Sequence, residues 1–494
     1  MIRSAFTFRS LLTFAALVPL ALPAQQARPV VKPSSMPVLD RTKPPALGRT
    51  PVLVLPAVKR GTLTNGVSLQ LVEQHELPLV QLSLIITGGS KAEGVQHGLA
   101  SFTARMLTEA AGTRDANGLQ SELGFLGAQL FAASGTDVFT ISLNAPKRSL
   151  AAALDLMADV ALRPAFRASD VRRQRDLRFA ALLQRKDQPT QVAALAFNQL
   201  LFPPGHPYHY APDGDSASTA TLDSAAVRAF YEHAFVPSRA KFVVVGDVTE
   251  PEMRTLLTAK FGAWKQTAEP VVIAAITVKP VVNDEVNVYL LDKPGAAQSV
   301  IYVGAPGVDR LNPDYPSLVV MNTILGGSFS SRLISNLRET KGYTYGISSS
   351  FRWAPTAGPF GVSSSVRTNV TDSSLVEIFK ELRTIRDTPV DSTELQRAKA
   401  YVALALPAHF ETNGQIAGQL VDLGTYGLPL RSVTEFGTKV NAVSQADVQR
   451  VARQYIPVDH MTIVVVGDLA KVRAGIEALK LGTVTVLDVS TVAR

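Results

Sequence analysis

The chain has 494 residues, of which 46% are hydrophobic, and a formal net charge of +8. Single cores stop growing at roughly 250 to 300 residues, so this length predicts two domains. The absence of cysteine excludes disulfides, thiolate metal sites, a cysteine nucleophile and a lipid anchor on cysteine. The densest basic run, at 172–178, has the spacing of a solvated helix face rather than a partner-binding patch. No motif indicates a nucleic-acid partner.

Residues 1–24 have the pattern of a signal peptide. Arg3 and Arg9 lie in a basic leader, an apolar run follows, and a small-residue cleavage site ends at Ala24. The apolar run is shorter than the roughly 20 residues that span a bilayer as a helix. We therefore expect a periplasmic or secreted protein, without stable membrane insertion after cleavage. The proline-rich stretch 25–57 predicts an extended linker.

Strands and helices alternate beyond this linker. Asn65-Gly66 predicts a hairpin turn, and a strand is expected over 79–87. A helix with one apolar face is expected over 99–110, and a longer apolar helix over 150–162. A strand at 139–143 lies between them. Elements in this order predict an α+β sandwich rather than a regular parallel α/β fold.

The same plan occurs twice. Phe242–Val248 and Ile463–Leu469 are both apolar strands that end in Gly-Asp, about half the chain apart. Val171–Ala193 matches Leu395–Ala417 at nearly the same offset. Several offsets that agree within a few residues indicate an internal duplication.

We therefore predict two homologous α/β-sandwich domains, each with an antiparallel-rich sheet and helices. The N-terminal domain is expected at 58–269 and the C-terminal domain at 270–485, with a tail at 486–494. The junction falls at Glu269-Pro270, where the first apolar strand and its helix have ended.

Five segments of the chain resemble a known family, the pitrilysin/insulinase zinc metallopeptidases with an inverted His-x-x-Glu-His motif. They are Leu63–Gly66, Gly89–Glu93, Gly98–Leu107, Arg163–Phe166 and His206–Tyr208. The resemblance covers nearly everything from 57 to 485. It implies that the two domains form one half of a clam-shell chamber. It also implies peptide or unfolded-protein substrates, which relatives often add as a strand to a sheet edge.

The chain departs from the family at the zinc motif. The resemblance implies that the two histidines and the general-base glutamate correspond to Ser101, Arg105 and Ala104, and that the third zinc ligand corresponds to Ala181. Zinc needs three such ligands and an open fourth position to activate its water. A permanently charged guanidinium at Arg105 would repel a dication. The expectation is no metal, no cofactor and no catalytic residue of the chain's own at this place.

His206 and His209 are the only closely spaced histidines, with Asp213 and Asp215 nearby. A proline lies between the two histidines, and no helix is predicted that would place both rings on one face. A packed loop is therefore favoured over a displaced metal site, although the sequence leaves metal binding here open. Ser101 has no visible partner that would make it a nucleophile.

The second half contains an intact family-like element. Leu325–Leu333 resembles the family's glycine-rich loop, and Leu337–Tyr345 resembles its Arg-Glu-x-x-Gly-x-x-Tyr segment. The resemblance implies that Arg338 and Tyr345 hold substrate and stabilise an oxyanion, since both side chains are hydrogen-bond donors. The alternative is that Arg338 pairs with Glu339 and that Tyr345 packs beside Phe351.

Gly326 and Gly327 have two interpretations. A mobile loop of this kind suits the passage of substrate into a chamber. The other is a helix-start turn in which Ser328 or Ser330 is the N-cap. The two are compatible.

The resemblance implies a division of labour between two chains. Some family members work as pairs, in which one chain carries the zinc motif and the other carries the Arg/Tyr element. This chain is similar to the second kind, which implies a heterodimer whose zinc lies in the partner; a homodimer stays open. The alternative is a structural or binding protein of this fold without a role in hydrolysis.

Overall fold

The computed structural model describes residues 53–273 and 276–493. The predicted signal peptide and most of the predicted linker lie outside the described residues. The strands are β1 Lys59–Thr62, β2 Ser68–Glu73, β3 Leu79–Thr87, β4 Ala110–Ala111, β5 Arg114–Asp115, β6 Gln129–Ser134, β7 Val138–Pro146, β8 Ala240–Gly246, β9 Asn287–Asp292, β10 Gln298–Pro306, β11 Thr344–Phe351, β12 Pro359–Arg367, β13 Thr462–Gly467 and β14 Thr483–Leu487.

The helices are α1 Leu99–Met106, α2 Ala116–Leu126, α3 Leu150–Leu162, α4 Ala168–Arg185, α5 Pro189–Leu201, α6 Ser216–Ala220, α7 Ser224–Ala234, α8 Glu250–Phe261, α9 Tyr315–Asn322, α10 Thr371–Asp387, α11 Ser392–Ala405, α12 Asn413–Thr425, α13 Ser432–Ala442, α14 Gln445–Tyr455, α15 Leu469–Ala478 and α16 Val489–Val492. Two segments are π-helical, Thr323–Gly327 and Ile334–Thr340. None of the described helices has the length and apolar character needed to cross a bilayer.

Twelve of the 14 described strands form two six-stranded sheets with nearly the same topology, and β4 and β5 form a separate two-stranded sheet. The N-terminal sheet has the order β1-β2-β8-β3-β7-β6, and the C-terminal sheet has the order β14-β9-β13-β10-β12-β11. In each sheet the central strand, β8 or β13, is parallel to one neighbour and antiparallel to the other. Only one edge differs, because β1 is antiparallel to β2 whereas β14 is parallel to β9. The predicted α+β class and duplication are confirmed.

The central strands are valine-rich because both of their faces are buried. In β8, Phe242 and Val244 face the core of the N-terminal domain. Val243 and Val245 face outward, where α12 covers them with Ile416 and Leu420. An unbroken apolar run is therefore what this position of the fold requires.

Each domain covers the outer face of the other domain's sheet with one helix. Helix α12, from the second half, packs on β3 and β8, while α5, from the first half, packs on β10 and β13. Val192 and Phe197 of α5 lie with Val464 and Val466 in one apolar cluster. Helix α16, at the end of the chain, packs on α5. The segment Val489–Val492 therefore belongs to the folded structure.

One predicted element was too long. The sequence predicts one helix with an apolar face over 99–110, but α1 ends at Met106 and Ala110 lies in β4. The short hairpin of β4 and β5 turns at Gly112, whose φ is 58°. The left-handed glycine allows the tight turn between the two strands.

Candidate functional site

Helix α1 is the segment in which the resemblance placed two zinc ligands and the general base. It follows Gly98, whose φ of 88° is left-handed. Glu93 fixes its start, because the carboxylate accepts the N–H groups of Gly98 at 3.0 Å and Ala100 at 2.9 Å. Burial raises the pKa of Glu93 to about 7. The family-like segment Gly89–Glu93 therefore holds the N-terminus of α1 in place through Glu93.

The four zinc-motif positions do not fit a metal. Ser101 is half-buried and Ala104 is buried, while Ala181 is exposed on α4. The side chain of Arg105 is 63% exposed, and its Nε lies 3.6 Å from Oε1 of Glu109. A hydroxyl, two methyl groups and a guanidinium do not provide the ligand set that zinc takes. Among the described residues, no three His, Cys, Asp or Glu side chains are grouped so that they could hold a metal ion.

A cation of the chain itself lies at this place. Arg178, on α4 one turn before Ala181, donates hydrogen bonds to Ser101 Oγ at 3.1 Å and to the carbonyl of Gly98 at 2.8 Å. Its guanidinium carbon lies 4.9 Å from the ring centroid of Phe102. Burial lowers the pKa of Arg178, but a guanidinium stays protonated. The side chain at the first ligand position is thus bound to a positive charge.

The basic run at 172–178 is only partly the solvated face that was predicted. Arg172 is exposed, and the half-exposed Arg173 binds the buried Glu109. The prediction is wrong for Arg178, which turns inward. The signal lay in the helical period, since Arg178 follows the buried Gln174 by four positions and shares its face of α4.

The histidine pair lies in a packed loop. His206 is 1% exposed, stacks on Phe202 with the ring centroids 4.5 Å apart, and accepts the N–H of Tyr208 on Nδ1 at 3.1 Å. His209 donates from Nδ1 to the carbonyl of Phe202 at 2.6 Å. One nitrogen of each ring is therefore engaged with the backbone of the loop.

This packing predicts a pH effect. Burial lowers the pKa of His206 to about 4, below the ~6.5 of a free imidazole. Between these values the unfolded chain binds more protons than the folded chain, so the free energy of unfolding should fall as the pH falls. We expect His206 to contribute up to ~3 kcal/mol of this loss at pH 4. Urea unfolding from pH 4 to 7 should show a shallower slope for His206→Asn, whose amide oxygen can accept the same N–H. The exposed His409→Asn is the control, and equal slopes for all three proteins would contradict the assignment.

Arg338 lies on the second π-helical segment, partly exposed. Its guanidinium carbon is 4.5 Å from the ring centroid of Phe329, and its Nε is 3.5 Å from Oε1 of Glu339. Phe329 is itself 68% exposed. The ion pair with Glu339 considered above thus exists, but it is long and leaves the guanidinium accessible. π-Helical turns are rare and often occur at functional sites.

Tyr345 lies on a β-bulge at the edge of the C-terminal sheet. The register of β11 against β12 shifts between Thr344 and Ile347. Thr344 fixes the bulge, since its Oγ1 accepts the N–H of Gly346 at 3.0 Å and lies 2.7 Å from the carbonyl of Ser365. Bulges change the direction of a side chain. Tyr345 is 92% exposed, so it does not pack beside Phe351.

Gly326 and Gly327 allow a close approach. A Cβ on Gly326 would lie 2.5 Å from the backbone nitrogen of Ser349 on β11, and one on Gly327 would lie 2.7 Å from Asn322 Nδ2. Ser328 does not cap a helix, since its hydroxyl donates to the carbonyl of Thr323 at 3.1 Å. Gly326 therefore lets the first π-helical segment lie close to β11, the strand that carries Tyr345, and Gly327 lets the chain fold back on the end of α9.

Side chains between these glycines and Arg338 bind acidic residues on helices α10 and α11. Arg332 forms a bidentate ion pair with Glu394, with Nε to Oε1 at 2.8 Å and Nη2 to Oε2 at 2.7 Å. Asn336 donates to Glu377 at 2.9 Å and to Glu381 at 2.7 Å, both on α10. The sequence pointed to the Ser-Arg-Leu segment but gave no sign of these three acidic partners.

The candidate residues form two separate groups. Ser101, Ala104, Arg105 and Ala181 lie on α1 and α4 of the N-terminal domain, whereas Arg338 and Tyr345 lie beside β11 of the C-terminal domain. In the part of the chain that the structure describes, no hydrogen bond, ion pair or ring contact joins the two groups.

Comparison with known proteins matches both halves. Residues 70–201 match the model of the insulinase family, peptidase family M16, and residues 221–402 match the model of the peptidase M16 inactive domain. The crystal structure of a peptidase M16 inactive domain from Pseudomonas fluorescens superposes with a TM-score of 0.76 at 28% identity, over 83% of this chain and 98% of that one. A protease from Helicobacter pylori has the same fold, with a TM-score of 0.77 at 19% identity.

Relatives by sequence are named as peptidases. An uncharacterized zinc protease of Bacillus subtilis is 22% identical over 82% of this chain and 97% of its own length. The mitochondrial-processing peptidase subunit beta of Lentinula edodes is 22% identical over 81% of this chain and 88% of its own length. With both halves matched in order and the fold shared over most of its length, the chain belongs to the insulinase family of peptidases, M16.

Proposed function

We propose that this chain is the non-catalytic subunit of an exported zinc metallopeptidase of the insulinase type. It contributes substrate binding and oxyanion stabilisation to an active site whose zinc and general base belong to a partner chain. One contrast carries the proposal: Arg178 binds the first ligand position, whereas the donor pair Arg338 and Tyr345 remains accessible.

The chemistry of the accessible pair supports this role. A guanidinium and a phenol both donate hydrogen bonds, and donors held in place before the reaction are what a developing oxyanion requires. The π-helical turn and the bulge hold Arg338 and Tyr345 on elements that pack against each other. Rigid support of this kind makes donors effective without rearrangement during the reaction.

The family context supports a two-chain arrangement. One relative is named as a subunit of a processing peptidase, so the fold occurs in multisubunit enzymes. For this chain we propose a zinc-bearing paralogue as the partner, unfolded or short peptides as substrates, and the periplasm or the secreted fraction as the location. Among the described strands, β6 pairs only with β7, which supports the binding of a peptide as an added strand at that edge.

The test is a mixing experiment with the mature chain and an exported paralogue that carries His-x-x-Glu-His. We expect no cleavage of a fluorogenic peptide by this chain alone, weak cleavage by the paralogue alone, and a rate that saturates at equimolar mixing. Metal analysis should find zinc in the paralogue only. A mixture no faster than the paralogue would favour the structural or binding role. Tight zinc binding and cleavage by this chain alone would overturn the proposal.

A further inference from the structure

A cavity of about 440 Å³ lies between the outer face of the N-terminal sheet and the end of α12. Lys241 at the start of β8 lines the sheet side, and Val421 and Gly424 line the helix side. We call it the interdomain cavity, because its walls come from both halves of the chain. Cavities between domains are common ligand sites.

Lys241 breaks the pattern of its strand. It lies two residues before Val243, on the face that α12 covers, and is half-buried. Among the described residues its ammonium has no hydrogen bond or ion pair, and the nearby charge is that of another cation, Arg60. Burial lowers the pKa of Lys241. Partial removal of an ammonium from water without an anion beside it is unfavourable.

The fold itself does not need a cation here. In the N-terminal sheet, Lys241 of β8 pairs with Ser68 of β2. The equivalent pair in the C-terminal sheet is Thr462 of β13 and Asn287 of β9, so Thr462 occupies the position of Lys241. Thr462 is neutral and 1% exposed. The negative end of α12 explains part of the difference, since a cation near a helix C-terminus is stabilised by the helix dipole. The helix end does not supply a carboxylate or another anion that could pair with the ammonium of Lys241.

A second cation in the wall is incompletely bonded. Arg239 donates from Nη2 to the carbonyl of Val271, but its Nη1 is buried without a hydrogen-bond partner among the described residues. Lys91 also lines the cavity and is paired with Asp137, the one carboxylate in the described wall. The described wall thus holds three cations against one anion.

The rest of the wall defines the ligand further. Ile85, Val138, Ile273 and Val421 make much of the lining apolar. An inorganic anion would leave these apolar side chains in contact with water, whereas a ligand with an apolar part would remove them from water, which is favourable. We propose that the interdomain cavity binds a small organic anion, a carboxylate on an apolar body, with the carboxylate at Lys241 and Arg239. Such a ligand would bridge the two domains, and the proposal does not depend on the peptidase role.

The same chemistry has two sources, a short fatty acid and the C-terminal residue of a peptide. Calorimetric titration of the mature chain with hexanoate and with N-acetyl-Ala-Leu distinguishes them, with hexanol and the peptide amide as neutral controls. We expect one or both acids to bind at millimolar concentration or below. Lys241→Met should weaken binding about 10- to 100-fold through loss of a charge-assisted hydrogen bond. The exposed Lys279→Met should bind like the unmodified chain.

Two further measurements separate binding from folding. Lys241→Met keeps the side-chain length and removes only a disfavoured charge, so its unfolding temperature should be equal or higher. Gly424→Ala places a methyl group 2.9 Å from Lys241 Nζ and should weaken binding while the charge stays. The proposal is overturned if neither acid binds the unmodified chain, or if Lys241→Met binds the acids as tightly as the unmodified chain does.

Discussion

Arg338→Ala is expected to lower the kcat of the mixed two-chain enzyme about 100- to 1000-fold, the effect of losing one preorganised oxyanion donor. Tyr345→Phe removes a single hydroxyl and should lower kcat by a similar factor. Because an oxyanion forms only in the transition state, kcat should fall more than KM rises. Tyr345 is 92% exposed and the side chain of Arg338 is 35% exposed, so neither substitution removes a core side chain and the variants should fold.

The matched controls are Arg473→Ala and Tyr401→Phe. Arg473 is an exposed arginine in an ion pair with Glu477, as Arg338 is with Glu339, and Tyr401 is a 56% exposed tyrosine on α11. Neither control should change kcat by more than a few-fold. If Arg338→Ala and Tyr345→Phe form the complex and cleave at the unmodified rate, the donor role is wrong.

Glu394→Ala is expected to lower the free energy of unfolding of the C-terminal domain by about 3–5 kcal/mol, the effect of breaking a buried ion pair from one side. The side chains of Arg332 and Glu394 are only 15% and 16% exposed. Nη1 of Arg332 already lacks a partner among the described residues. Removing the carboxylate therefore leaves a largely buried guanidinium uncompensated.

The chain's 2 tryptophans allow this loss to be followed by domain. Trp353 packs against the C-terminal core and Trp264 belongs to the N-terminal core, so tryptophan fluorescence during urea unfolding in a Trp264→Phe background reports the second domain. Arg332→Met combined with Glu394→Met should recover most of the stability, because it removes both charges. Glu435→Ala breaks the exposed pair with Arg431 and should change stability by less than about 1 kcal/mol. A similar small loss for Glu394→Ala would show that the buried pair contributes little.

The architecture could be predicted from the sequence because it depends on repeated local patterns. The runs around Val243 and Val464 are apolar on both faces, which only a covered central strand explains. The Asn65-Gly66 turn forms as expected, with Gly66 at a φ of 87°. The family-like motifs marked the places of Arg338 and Tyr345, but not how those residues are presented.

The parts that the sequence missed depend on contacts between distant segments. The bulge at Tyr345 forms because Thr344 bonds across to Ser365 of the neighbouring strand. Arg178 points inward because α1 lies beside α4 and offers it hydrogen-bond acceptors. Lys241 is half-buried because α12 packs on β8. Hydrophobic periodicity describes one element at a time, and none of these contacts lies within one element.

The exchange of α5 and α12 has a consequence for synthesis of the chain. The outer valines of β8, among them Val243 and Val245, are complete once residue 246 has been made, but their cover ends at Thr425. During synthesis, one face of the N-terminal sheet thus stays uncovered until α12 has been made, which requires most of the second domain. Aggregation is a hazard for such transiently exposed strands. A chain cut between its two halves would leave each half with an uncovered sheet that only the other half can close.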